Sequence, residues 1–299
     1  MSKRNWALIA ATLVSIIYGV TFTIAKDVMP KYIDAFGFIF LRVGGSMLLF
    51  WLSTLFVKTE KIEKTDFPRI IAASFFGIAF NMLTFFKGLS YTSPIMGAVL
   101  MVTTPMIVLV LSAILIKERM ENRKILGILL GLAGTVTLIL YGKSMVNAPN
   151  AMLGNFLVFV NAVSYGFYLI IVKKLMDKYK AISFVKWIYF FGFLMVIPFG
   201  WSEFQAVDWT IVPTSAYLKI GFVVIFSTFL TYLLNLLSMK ELKPTTVAVF
   251  IYLQPLFASI FAIGLGKDEL SWVKIGSALL IFIGIYLVTQ KKQTAVSKQ

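Results

Sequence analysis

One pattern of prolines, small residues and apolar runs occurs twice in this chain of 299 residues, and any fold it adopts must accommodate both copies. In the first copy, Pro94, Ala98, Val99 and Pro105 precede an apolar run that closes with Lys117, Glu118 and Arg119. In the second, Pro244, Ala248, Val249 and Pro255 precede one that closes with Lys267, Asp268 and Glu269. Each copy continues into another apolar segment opening with a glycine, Gly127 or Gly276, where the spacing slips by one residue. Upstream, Tyr18, Gly19, Lys26, Met29, Lys31 and Tyr32 return as Tyr165, Gly166, Lys173, Met176, Lys178 and Tyr179. The period far exceeds that of a solenoid repeat, so it marks duplication of a half-protein, with halves at 1–146 and 147–299.

The halves are built of hydrocarbon-compatible sequence. Charged residues make up 14% and hydrophobic ones 59%, where an ordinary soluble domain carries about 25% charged residues. A helix rises about 1.5 Å per residue, so some 20 apolar residues cross a bilayer core of about 30 Å. Ten such segments are expected: 6–25, 35–57, 67–88, 93–116 and 125–141, then 152–172, 183–201, 216–239, 245–266 and 273–289. Every backbone polar group in such a segment must be satisfied within it, which selects α-helix. The expected fold is therefore an all-α integral membrane protein. Lys3 and Arg4 ahead of the first segment, without a small-residue cleavage site, read as the start of a retained helix rather than a signal peptide.

Lysine and arginine accumulate in cytoplasmic loops. With the N-terminus inside, only Lys26, Lys31, Lys87, Lys143, Lys219, Lys267 and Lys274 fall outside, Arg42 lies within a helix, and the rest of the 28 basic residues fall inside. This explains the net charge of +15 without nucleic acid and places both termini in the cytoplasm. Five crossings per half is an odd number, so the second half enters the membrane from the opposite side. Ten helices as two inverted five-helix repeats is an architecture of secondary transporters, in which exchanging the conformations of the halves exposes one site to alternate sides.

On these residues the chain resembles the EamA-type family of the drug/metabolite transporter superfamily over essentially its whole length. The resemblance rests on Tyr18-Gly19, Lys26, Arg42, the segment Pro94 to Thr104-Pro105, Glu118, Gly127 and Gly134. The second half contributes Tyr165-Gly166, Pro244, Gln254-Pro255, Gly276 and Gly284. The chain departs from the family in having Tyr18 where tryptophan is frequent and a blurred acidic position at Lys267 to Glu269. The resemblance implies alternating access, a central cavity lined by helices 1, 3, 4, 6, 8 and 9, and export of amino acids or other small metabolites.

Helical spacing of polar residues leads toward such a cavity independently. Asn81, Thr84, Phe85 and Gly88 share a face of the third segment, Asn161, Ser164, Tyr165 and Tyr168 one of the sixth, and Thr228, Thr231, Tyr232 and Asn235 one of the eighth. The duplication equates Asn81 with Thr231 and Phe85 with Asn235. Candidate substrate-binding residues are Tyr18, Asn81, Phe85, Thr104, Asn161, Tyr165, Tyr168, Thr231, Tyr232, Asn235, Tyr252 and Gln254. For each polar residue the alternative is interhelical glue, and for Tyr18 or Tyr252 a place in an interfacial belt. Pro105 and Pro255 should kink their helices. Arg42, Lys26 and Lys87 are candidates for a gating or charge role, against the alternatives of a structural anchor or of snorkelling.

The spans carry no Asp or Glu away from their ends, and the chain has neither cysteine nor histidine. The usual proton relay, metal ligands and general base are thus missing, which argues against an enzyme, a metal site or a cofactor and disfavours polycation export. Tyrosines and neutral amides suit a small, net-neutral, amphipathic solute such as an amino acid. A secondary transporter exporting such metabolites across the cytoplasmic membrane is the leading reading. The alternatives are a broad exporter of drug-like compounds and a channel-like protein. The expected partners are a small-molecule substrate and the lipid bilayer, and a monomer suffices because one chain contains both halves.

Overall fold

The computed structural model describes residues 2–92, 94–141, 150–264 and 269–290; in addition, nothing is described of the side chains of residues 22, 23, 26, 94 and 95. The boundary at 146/147, the Lys26 and Pro94 side chains, and Lys267 with Asp268 therefore lie outside the described residues.

Among the described residues, ten helices are long and apolar enough to cross a membrane. In chain order they are α1 (Lys3–Lys26), α2 (Ala35–Ser53), α3 (Lys64–Tyr91), α4 (Pro94–Met101 and Thr104–Ile116), α5 (Asn122–Leu140), α6 (Ala151–Met176), α7 (Ala181–Gln205), α8 (Thr214–Glu241), α9 (Pro244–Gly264) and α10 (Trp272–Thr289). Several run past the apolar segments because polar residues close their ends. Ser2, Asn150 and Ser271 accept hydrogen bonds from Asn5 N, Leu153 N and Lys274 N, satisfying free amides of α1, α6 and α10. For α2 the acceptor comes from another helix: the Glu203 carboxylate on α7 takes Phe36 N at 2.7 Å and Gly37 N at 2.9 Å. Leu48, Ile114, Phe156, Leu218 and Phe282 point outward, as expected where the surrounding solvent is hydrocarbon.

The helices pack as two interlocked sets. α1 lies against α8 and α9, and α6 against α3 and α4, while α2 pairs with α7 and α5 with α10 across the pseudo-axis. Individual contacts repeat as well. A Cβ on Gly88 of α3 would come within 3.1 Å of Gly154 O on α6, and the equivalent Ser238 of α8 donates to Ala7 O on α1 at 2.9 Å. Gly19 of α1 presses on Gln254 O of α9, and Gly166 of α6 on Leu111 of α4.

In the α5–α10 seam the register differs from the one-residue slip read from sequence. Gly127 meets Gly284 O, and Gly134 meets Ser277 O. A two-fold relation with one constant offset requires Gly127 to correspond to Ser277, and Gly134 to Gly284. Gly276, the expected counterpart of Gly127, has nothing within 4 Å of an added Cβ. The slip is a coincidence of neighbouring small residues.

Both repeats interrupt the same two helices. α3 carries a π-helical stretch at Phe75–Ala79 and α8 one at Ile225–Leu230. α4 breaks at residues 102–103, just before Pro105, and α9 tightens into a 3₁₀ turn at Phe250–Tyr252, just before Pro255.

Candidate functional site

The π-helical stretches of α3 and α8 face the centre of the molecule, and five tyrosines and one arginine gather around them. π-Bulges free backbone groups from regular pairing and are frequent at functional sites. Tyr232 of α8 donates to Gly77 O within the α3 stretch at 2.8 Å. Gly77 is required there, since a Cβ would fall 2.2 Å from the Tyr168 ring. From Tyr165 the rings run on through Tyr168 and Tyr232 to Tyr189 of α7, with centroids 6.0, 6.0 and 5.0 Å apart.

In the α8 stretch, Thr228 donates to Val223 O at 2.8 Å and accepts the Arg42 Nε–H of α2 at 3.2 Å. Thr231 donates to Tyr18 of α1 at 3.2 Å. Thr228 and Thr231 thus bring Arg42 and Tyr18 to α8, whose Tyr232 meets the rings of Tyr168 and Tyr189, so the group forms one cluster. Among the described residues no carboxylate pairs with Arg42. The cluster therefore combines aromatic faces, hydroxyls and one uncompensated cation. Among the described residues no group of three or more carboxylates could hold a metal.

Of the residues singled out from sequence, Tyr18, Tyr165, Tyr168, Thr231, Tyr232 and Arg42 come together here. Asn81 and Asn161 sit beside them in a reciprocal bond: each side-chain amide donates to the other residue's backbone carbonyl, at 3.2 and 2.7 Å, tying α3 to α6. Phe85 and Asn235 are half-buried one turn further along α3 and α8. Because the repeats are inverted, they lie toward opposite ends of the cluster. Gln254 is half-buried and gives its backbone to the contact with Gly19. Two residues are otherwise engaged: Thr104 is buried and donates to Met101 O at the break in α4, and Tyr252 donates to Ile128 O of α5 at 3.1 Å, its ring filling the slot above Gly131. Lys87 is exposed, with its ammonium 5.0 Å from the Tyr91 ring centroid.

Tyr189, Gly77 and Ser227 were not anticipated. Tyr189 is fully buried, and apart from Lys186 the residues around it in α7, from Phe184 to Gly200, are apolar, so no polar periodicity marks it. Gly77 and Ser227 stand at equivalent positions of the two π stretches, a correspondence the repeat offset alone could have revealed.

The model of the EamA-like transporter family matches residues 5–140 and 152–290. The Bacillus subtilis protein named uncharacterized transporter YetK is 23% identical over 98% of this chain and 89% of its own length. An Archaeoglobus fulgidus protein named uncharacterized transporter is 25% identical over 97% of this chain and 100% of its own. A solved crystal structure shares the fold with a TM-score of 0.78 at 16% identity, covering 94% of this chain and 95% of that one.

Proposed function

The chain belongs to the EamA-like transporter family, and from that premise we propose that it is a secondary transporter exporting small amphipathic metabolites, amino acids foremost, across the cytoplasmic membrane by alternating access. Both termini face the cytoplasm in this reading, as the distribution of lysine and arginine indicates.

The observation that carries the substrate class is the central cluster. Arg42 supplies a fixed cation with no carboxylate partner among the described residues, and an intramembrane ionisable group without a partner is a functional hypothesis by default. The carboxylate of an amino acid would complete it. Tyr18 and Tyr165, the two cluster tyrosines that are only half-buried, offer ring faces for an apolar side chain. The paired structural interruptions in α3, α4, α8 and α9 suit helices that rearrange around one site, because each half carries the same set.

The test is counterflow of labelled phenylalanine into liposomes holding the purified protein, with and without excess unlabelled amino acid inside. Saturable uptake stimulated by the internal amino acid is expected. If no amino acid stimulates uptake by protein shown to be folded, the amino-acid assignment is wrong and the carrier architecture alone stands.

A further inference from the structure

Away from the central cluster, the C-terminal ends of α4 and α6 and the start of α9 enclose a concave surface of about 640 Å³. Lys117, Arg119, Lys173, Lys174 and Lys243 line it, with Glu118 and Asp177 as the acids. Both acids are already engaged. Glu118 accepts from Lys124 Nζ at 2.7 Å and from Thr245 Oγ1 at 3.0 Å, and Asp177 pairs with Lys173 at 3.1 Å. That leaves Lys117, Arg119, Lys174 and Lys243 around one hollow without a carboxylate partner among the described residues. Four like charges so placed repel one another unless an anion joins them.

The rest of the wall is apolar. Leu115 and Ile116 line the same hollow, and Ile114 next to them is 69% exposed on the outer face of α4. A soluble phosphate would use only the basic half. A phosphodiester carrying acyl chains would use both, with its headgroup among the cations and its chains along α4. The hollow also sits at helix ends, where lipid headgroups lie.

We propose that this basic hollow between α4, α6 and α9 is a binding site for the phosphate headgroup of an anionic phospholipid. The site is independent of the transported substrate. Its ligand neutralises the cations beside the Glu118–Thr245 contact, where α4 meets α9.

The test is native mass spectrometry of the full chain titrated with phosphatidylglycerol, with phosphatidylcholine, and separately with inorganic phosphate. Phosphatidylglycerol should be retained over phosphatidylcholine. Each of Lys117→Gln, Arg119→Gln, Lys174→Gln and Lys243→Gln should weaken its retention by about fivefold, and the fourfold variant should lose the preference. A control with Lys58→Gln, Lys61→Gln, Lys64→Gln and Lys240→Gln removes equal charge elsewhere and should keep it. Should the fourfold variant fail to fold, the singles Lys174→Gln and Lys243→Gln, on exposed side chains, decide the matter. The proposal is overturned if the hollow variants retain phosphatidylglycerol as the unaltered chain does, or if the control loses it equally. It is also overturned if inorganic phosphate displaces the lipid at comparable concentration.

Discussion

At the residue scale the decisive group is Arg42. Its Nε–H is spent on Thr228, which leaves the terminal nitrogens of a planar, permanently charged fork for a ligand. A charge-assisted hydrogen bond to a carboxylate is worth about 1.5–3 kcal/mol, so Arg42→Gln should raise the KM for phenylalanine in counterflow by about 10–100-fold. Arg42→Lys keeps the charge without the fork and should lose less. Phenylalaninamide, which lacks the carboxylate, separates binding from structure: the chain should discriminate against it, and Arg42→Gln should not. An unchanged preference in Arg42→Gln would make Arg42 a structural anchor. Gly77 gives a second residue-scale test. Ala at this position puts a methyl 2.2 Å from the Tyr168 ring, which must then shift within a chain of packed tyrosines. Overpacking of this kind costs about 1–3 kcal/mol, and Gly77→Ala should lower both the melting temperature and transport of aromatic substrates.

At the element scale the helix pairs are held by small residues, because lipid is as apolar as leucine and hydrophobicity gives two helices little reason to associate. In the α5–α10 seam a Cβ on Gly284 would lie 2.5 Å from Gly127 O and 2.7 Å from Gly131 N. Backbone cannot step aside as a side chain can. Gly284→Ala should therefore destabilise the protein by about 1–3 kcal/mol in thermal melts, while Gly276→Ala, in open space, should be neutral. The reverse result would restore the register in which Gly127 corresponds to Gly276. This contrast marks what sequence could show. Ten spans were legible because backbone in hydrocarbon must be helical, and the faces of Asn81, Tyr165 and Thr231 were legible because polar residues at helical spacing are conspicuous in apolar runs. The π stretches of α3 and α8 were not, since a local change of helical winding is set by packing across helices: Tyr232 on Gly77, and Arg42 on Thr228. Tyr252 looked like Tyr165 in sequence. The slot above Gly131 that takes its ring exists only once α5 meets α9.

At the scale of the whole molecule the two ends are unequal, although the repeats are alike. At the Glu118 end, Pro244–Val249 of α9 packs against Thr104–Ile116 of α4 and against α6, and Thr245 donates to Glu118. The repeat-related contact at the other end would join Pro94–Met101 of α4 to Leu253–Gly264 of α9. Among the described residues packing of that extent is not formed, and Pro94–Met101 leans instead on α6 and α5. Under the proposed alternating access, a carrier closed at one end and loosened at the other would be in one of its two access states. Elsewhere at the Glu118 end, Lys178 bridges Asp66 and Glu63, whose carboxylates raise its pKa above the ordinary lysine range and keep it charged. The Glu118–Thr245 hydrogen bond is then the joint to break. Glu118→Gln is a poor way to do it, because it strands Lys124, whose side chain is only 6% exposed, as an unpaired buried cation. Thr245→Val keeps that ion pair and removes only the link from α4 to α9. The chain contains no cysteine, so a single thiol can be placed at Val247, which is 4% exposed within the closed end. In the Val247→Cys chain this thiol should react slowly with a membrane-impermeant reagent, whereas Ala98→Cys at the looser end should react readily. Adding Thr245→Val should speed labelling at position 247 by about tenfold or more, the equivalent of one hydrogen bond to a charged group. Equal rates with and without Thr245→Val would mean that apolar packing alone seals this end, and that Glu118 serves only to neutralise Lys124.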